Sequence, residues 1–230
     1  MFEEGVVDIS PQEEKAINSM LKELERFHKK RSALHRDASD NAICAALKQY
    51  TNEVLAPKYG LDFIFWRFFF DPYSNDKAGY VPNYNELFIN LAYAVEDNSK
   101  PLRSQTIDWN KVAENVYHEW VHIKQDFIIK KKYLRGMMTP MLRQMYKATE
   151  YYDIKWEQMA MARGEIEWIK RNLKRINPRY IIKWLQKHGL TGPETAMLRK
   201  ENPEAYKRVL KYAVMFMLKK MAQQATKKSR

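Results

Sequence analysis

VAENVYHEWVHIKQDFII, residues 112–129, decides how this chain is read. Asp108 stands ready to cap a helix, and no Pro or Gly interrupts the stretch from there to Ile129. Ile107, Val112, Val116, Trp120, Ile123 and Phe127 supply the apolar contacts of a packed helix. Inside it lies His-Glu-Trp-Val-His, residues 118–122. Residues four apart share a helix face, with Cβ atoms about 5–6 Å from each other. Two imidazoles so placed can grip one zinc ion at about 2.0–2.1 Å per bond. Glu119 lies one position round the helix, where it can reach a water on the metal without being a ligand. The plain alternative is that both histidines hydrogen-bond on a half-buried face.

Zinc at a hydrolytic centre needs a third protein ligand. Glu157 follows His122 after 34 intervening residues, in the segment Trp156-Glu157-Gln158-Met159-Ala160-Met161-Ala162. Its neighbours on the same helix face include Asp153, Ala160 and Gly164, and the small ones let a second helix come close. Glu150 and Asp153 are the other acids that could serve. Glu150, Glu165 and Glu167 also make an ordinary exposed helix the plain alternative for this stretch. Tyr146, Tyr151 and Tyr152 are candidates to stabilise an oxyanion. Asn115 and Gln125 are close enough in sequence to orient the ligand histidines. Upstream, AGYVPNYNELFINLAYA places a turn and a strand before the motif helix; Glu86–Leu91 is read as an edge strand able to hold a substrate backbone by strand addition, or as a plain core strand.

HEWVHIKQ followed by the helical WEQMAMA segment resembles the zincin metallopeptidases. More narrowly it resembles the type in which HExxH supplies two ligands and a downstream E-x-x-A helix the third. The Gly-Tyr…Ile-Asn stretch ahead of the helix is similar to small zincins of bacterial and phage proteins. The resemblance spans about Leu61 to Gly164. It implies a zinc cofactor held by His118, His122 and Glu157, with Glu119 as general base. Met159 stands where the commonest E-x-E-A form has a second acid.

Outward from this segment the chain reads as mostly helical. Ser10-Pro11-Gln12-Glu13-Glu14 opens a first helix that should fade near His28–Arg31. A second is expected over 38–55, carrying Ile43, Leu47, Tyr50 and Val54, and stopped by Pro57 and Gly60. LDFIFWRFFF, residues 61–70, reads as a buried strand, and Asp71–Asp76 as turn chemistry. With Gly79-Tyr80-Val81 and Glu86–Leu91 these make a small sheet. After the motif helix, Gly136 and Pro140 mark a break. A helix is expected over 153–175 and ended by Pro178. A short one follows over 181–187, closed by Gly189 and Gly192, and a last one runs from Pro203 through Lys220. Its Met-rich part, Tyr212–Met221, reads as core or a partner interface. The expected fold is α+β and predominantly helical: a zincin-like core with a small sheet and the HExxH helix, plus a basic C-terminal helical region. The expected division is an N-terminal helical segment over 1–60 packed on the core, a metal-binding core over 61–177, and a basic helical region over 178–230.

The chain of 230 residues is large enough for one sizeable domain, and its aromatic content argues against disorder. Cys44 is the lone cysteine, so an internal disulfide is excluded. The acidic MFEEGVVDIS start is unlike a secretory leader. No apolar run reaches the length of a membrane span, so no membrane partner is expected. The expected setting is the cytoplasm or an assembled viral particle, within which the chain would belong to a larger assembly. The net charge is +12. A balance of this size suits nucleic acid or another acidic partner reached through the basic C-terminal region, or it is a solvated surface with no dedicated partner. Three functions follow. The first is a zinc-dependent hydrolase acting on a peptide or protein substrate. The second is a structural or assembly protein, such as a phage virion component, that keeps a zincin-like fold with little or no activity. The third is a basic nucleic-acid-binding protein.

Overall fold

Ser10 and Glu13 hold the start of the first helix reciprocally. The Glu13 N–H donates to Ser10 Oγ at 3.2 Å, and the Ser10 N–H donates to Glu13 Oε2 at 2.9 Å. Helix α1 then runs Pro11–Leu34, past the basic run expected to end it. The structure, a computed structural model, describes residues 7–34, 38–133, 155–174 and 177–228. Two compact units emerge, Ile9–Glu119, and Met1–Asp8 with Trp120–Arg230.

In the Ile9–Glu119 unit, the helix expected over 38–55 is present as α2 (Asp40–Tyr50) and a π-helical turn (Thr51–Leu55), and the helical backbone continues past it into α3 (Ala56–Tyr59). Ser39 caps α2 by accepting the Ala42 N–H. Pro57 does not stop the chain, because it lies in the first turn of α3, where no N–H is needed. Gly60 does, at φ 67, a left-handed angle that only glycine adopts at no steric cost. The π turn aims Asn52 at the neighbouring strand. Its Nδ2 donates to the Trp66 carbonyl at 2.7 Å and its Oδ1 accepts the Trp66 N–H at 2.9 Å.

That strand, β1, is Phe65–Phe69, shorter than the 61–70 run and not wholly buried. Trp66 and Phe68 point into the core, while Phe65 and Arg67 point outward. Arg67 lies over the rings of Phe69 and Phe88 and pairs with Glu86 at 2.8 Å. The strands β2 (Ala78–Val81) and β3 (Glu86–Asn90) complete a sheet of order β1-β3-β2. β1 runs parallel to β3, with Phe65 opposite Glu86, and β2 runs antiparallel to it, with Val81 opposite Glu86. The segment expected to be an edge strand is therefore the central one. Both its edges are occupied, and no substrate backbone can add to it. Asn90 ties the end of β3 to the 71–76 turns: Nδ2 donates to the carbonyls of Asp71 and Asp76, and Oδ1 accepts the Asp71 N–H. Ile17, Met20, Leu21 and Leu24 of α1, Leu47, Trp66 and Leu87 are among the buried side chains of this unit.

His28, on α1, is buried, with its ring 6.0 Å from that of Trp109. Burial, with Lys29 adjoining, pushes its pKa below the ordinary value. The unfolded chain therefore takes up a proton near pH 6.5 before the folded chain does, and folding stability falls as pH drops through that region. The chain should unfold at lower urea at pH 5 than at pH 7.5, and His28→Leu should shrink that difference. An unchanged difference in the variant would show that His28 is not its source.

Helix α4 (Trp109–Tyr133) belongs to the first unit up to Glu119 and to the other from Trp120, and α5 (Lys155–Asn172), α6 (Pro178–His188), α7 (Pro193–Glu201) and α8 (Pro203–Lys228) lie in that other unit. α8 packs on α5, α6 and α7. Pro178 opens α6 behind the Asn177 cap rather than merely ending the helix before it. α7 was not expected from the sequence, and α8 continues beyond Lys220. In the Met-rich stretch Phe216 and Met217 are buried, while Met215 and Leu218 are exposed. The expected break at Gly136 and Pro140 lies outside the described residues. No helix among the described residues is long and apolar enough to cross a membrane. The fold is α+β and predominantly helical, with one small sheet.

Candidate metal centre

Helix α4 begins as the sequence suggests, with Asp108 Oδ1 accepting the Asn110 N–H at 2.9 Å. Val112, Ala113, Val116, Tyr117, Trp120, Val121 and Ile123 are buried around most of its circumference. The remaining stripe carries Lys111, Glu114, Asn115, His118, His122 and Asp126, all half-buried. The two histidines thus stand on one line of the same continuous helix, one turn apart. Glu119 leans beside that line, 9 % exposed, with Oε1 3.9 Å from His118 Nε2.

Glu157 sits in the first turn of α5. Its Oε2 lies 3.3 Å from His122 Nε2. One ligand atom from each of His118, His122 and Glu157 falls within 4.8 Å of the others. Tetrahedral bonds of about 2.0–2.1 Å put ligand atoms about 3.4 Å apart. The His122–Glu157 pair already has that spacing, and no separation in the group exceeds it by more than about 1.4 Å. Two imidazole nitrogens and one carboxylate oxygen are also the donor chemistry zinc takes at hydrolytic sites. The residues present fit the ion.

Gln125 sits one turn beyond His122 and is almost wholly buried. Its Oε1 is 2.9 Å from His122 Nδ1. An amide oxygen there accepts the Nδ1 proton, which leaves the Nε2 lone pair for the metal. The i, i+3 spacing on the helix was the sequence signal for this partner.

Compared with protein-family models, with curated proteins and with solved structures, the chain matches none.

Of the remaining site expectations, Glu150, Asp153, Tyr146, Tyr151 and Tyr152 lie outside the described residues. Two acids on α5 are placed differently from an exposed helix. Glu165 and Glu167 are 1 % and 3 % exposed. The Glu165 carboxylate accepts the N–H groups of Thr191 and Gly192 and the Thr195 hydroxyl, while Glu167 pairs with Lys170 and Arg171. Both are structural. Met159, where a second acid would stand, is buried and apolar. Among the described residues, Glu157 is the acid in the first turn of α5, with its same-face neighbours Ala160 and Gly164 buried.

Proposed function

We propose that this protein is a zinc-dependent hydrolase of peptide bonds, related in its site to the zincins. The observation that carries the reading is the convergence of His118, His122 and Glu157, with Glu119 adjoining on the same helix turn. A zinc ion held by these three residues supplies an acidified water and a Lewis acid for the scissile carbonyl. The chain's own groups do the rest. Gln125 fixes the tautomer and ring angle of His122. Glu119, carried on the motif helix but not a ligand, takes the proton from the attacking water at a carboxylate oxygen and gives it to the leaving nitrogen. Its near-burial keeps bulk water from competing for that proton.

The protein purified without chelator should carry one zinc per chain by elemental analysis. His122→Ala should lose it. Gln125→Ala should keep the fold and bind zinc about 10–100-fold more weakly, the usual cost of removing an outer partner of a ligand histidine. Zinc far below one per chain after reloading, with no dependence on His122, would end the proposal. Stoichiometric zinc without hydrolysis of any peptide library would instead leave a metal-stabilised binding or assembly protein.

A further inference from the structure

The net charge of +12 is not spread over the molecule. The Ile9–Glu119 unit holds 14 basic and 16 acidic residues, a net of −2. The other unit holds the remaining 26 basic and 12 acidic residues, a net of +14. Within it, residues 178–228 carry 12 basic and 3 acidic residues, a net of +9.

The secondary structure sorts these cations onto faces. On α6, Arg179, Lys183 and Lys187 recur at four-residue spacing and are all exposed, while Ile181 and Leu185 are buried. On α8, Lys207, Arg208, Lys211 and Lys219 are exposed on one side, opposite the buried Ala205, Val209, Ala213 and Phe216. The two helices pack against each other. From Lys207 to Lys219 the cationic face of α8 extends about 18 Å, at about 1.5 Å per residue. The Lys207–Glu204 pair has both side chains 69 % exposed, so it is screened and readily exchanged for another anion.

We propose that the exposed faces of α6 and α8 bind the phosphate backbone of nucleic acid without reading its sequence. Rows of long cationic side chains on rigid helices suit a regular array of phosphates, and the release of condensed counterions drives such binding. A membrane surface fits less well. An interfacial helix needs a free apolar face, and the apolar faces of α6 and α8 are turned into the protein. Only Met215 and Leu218 interrupt the cations of α8. The inference does not rest on the metal centre.

The test uses the full chain with zinc chelated and fluorescein-labelled oligonucleotides of mixed sequence, one duplex DNA and one single-stranded RNA, read by anisotropy. If four phosphates are contacted, affinity should fall about a hundredfold between about 50 and about 200 mM salt. The set K207E, R208E, K211E and K219E should weaken binding at least tenfold, with circular dichroism unchanged. The set K15E, K22E, K29E and K30E on α1 changes net charge equally and should leave binding within about twofold. If the first set does not fold, glutamine at the same four positions should still weaken binding several-fold. No binding at the lower salt, equal losses from the two sets, or binding to phosphatidylserine vesicles but not to either oligonucleotide would overturn the proposal.

Discussion

Glu119→Gln should abolish peptide hydrolysis while leaving zinc content and fold intact. Glutamine matches glutamate in size and shape, so the packing around this nearly buried position is kept. It cannot accept a proton at neutral pH. A positioned general base contributes about 10²–10⁴-fold to a rate, and the loss should fall in that range. Because Glu119 is not among the three converging ligand groups, elemental analysis of the variant should match the parent. The loss should appear in kcat rather than KM, since the residue acts only as the bond breaks. A variant that hydrolyses substrate at the parental rate would remove Glu119 from the mechanism. A variant that sheds its zinc would mean that the acid is a ligand and that the roles on the helix must be redrawn.

Glu165→Ala should destabilise the unit that contains it more than any other single truncation of a polar group described above. The carboxylate reaches from the middle of α5 to the start of α7. It accepts the Thr191 N–H at 2.6 Å, the Gly192 N–H at 2.9 Å and the Thr195 hydroxyl at 2.8 Å. Gly192 occupies the N-cap position of α7 and has no side chain to satisfy the first helical N–H groups. The negative charge also faces the positive end of the helix. Truncation leaves the N–H groups of Thr191 and Gly192 without their acceptor, at about 1–3 kcal/mol each, while the Thr195 hydroxyl keeps the Gly192 carbonyl at 3.0 Å, and we expect a total loss of about 2–5 kcal/mol. Urea unfolding followed by far-ultraviolet circular dichroism measures it. Glu165→Gln keeps one acceptor oxygen and should fall between the alanine variant and the parent. An alanine variant within about 1 kcal/mol of the parent would show that water replaces the carboxylate.

These two acids illustrate what the sequence discloses. Local chemistry is legible: Ser10 and Glu13 three apart, Gly60 after a helical run, and His118, Glu119 and His122 in one uninterrupted helix each depend on neighbours a few residues away. The helix α7 was invisible for the opposite reason, because its cap is supplied by Glu165, 27 residues upstream of Gly192. By composition Glu165 resembles any surface glutamate. The sheet shows the same divide. That 86–90 forms a strand is apparent from its residues. That it lies in the middle depends on pairing with 65–69 on one side and 78–81 on the other, which hydropathy does not encode. The aromatic run at 61–70 also hides its alternation, because phenylalanine occupies both faces and only Arg67 marks the outer one. Glu157 stands between the two cases. Its candidacy came from the small residues beside it, and its nearness to His122 is a tertiary fact.

The amide of Asn52 has a consequence for solubility. Phe65–Phe69 is a five-residue segment of four aromatics and an arginine, with high β propensity and no proline, the composition that stacks readily into cross-β fibrils. As an outermost strand it would offer a row of hydrogen-bonding groups to the same segment of another molecule. Asn52 imitates a peptide unit and takes up both main-chain groups of Trp66, the second residue of that strand. One side chain presented by an irregular helical turn thereby acts as a gatekeeper against templated aggregation, at a point where the aromatic content needed for the core would otherwise make the monomer its own nucleus.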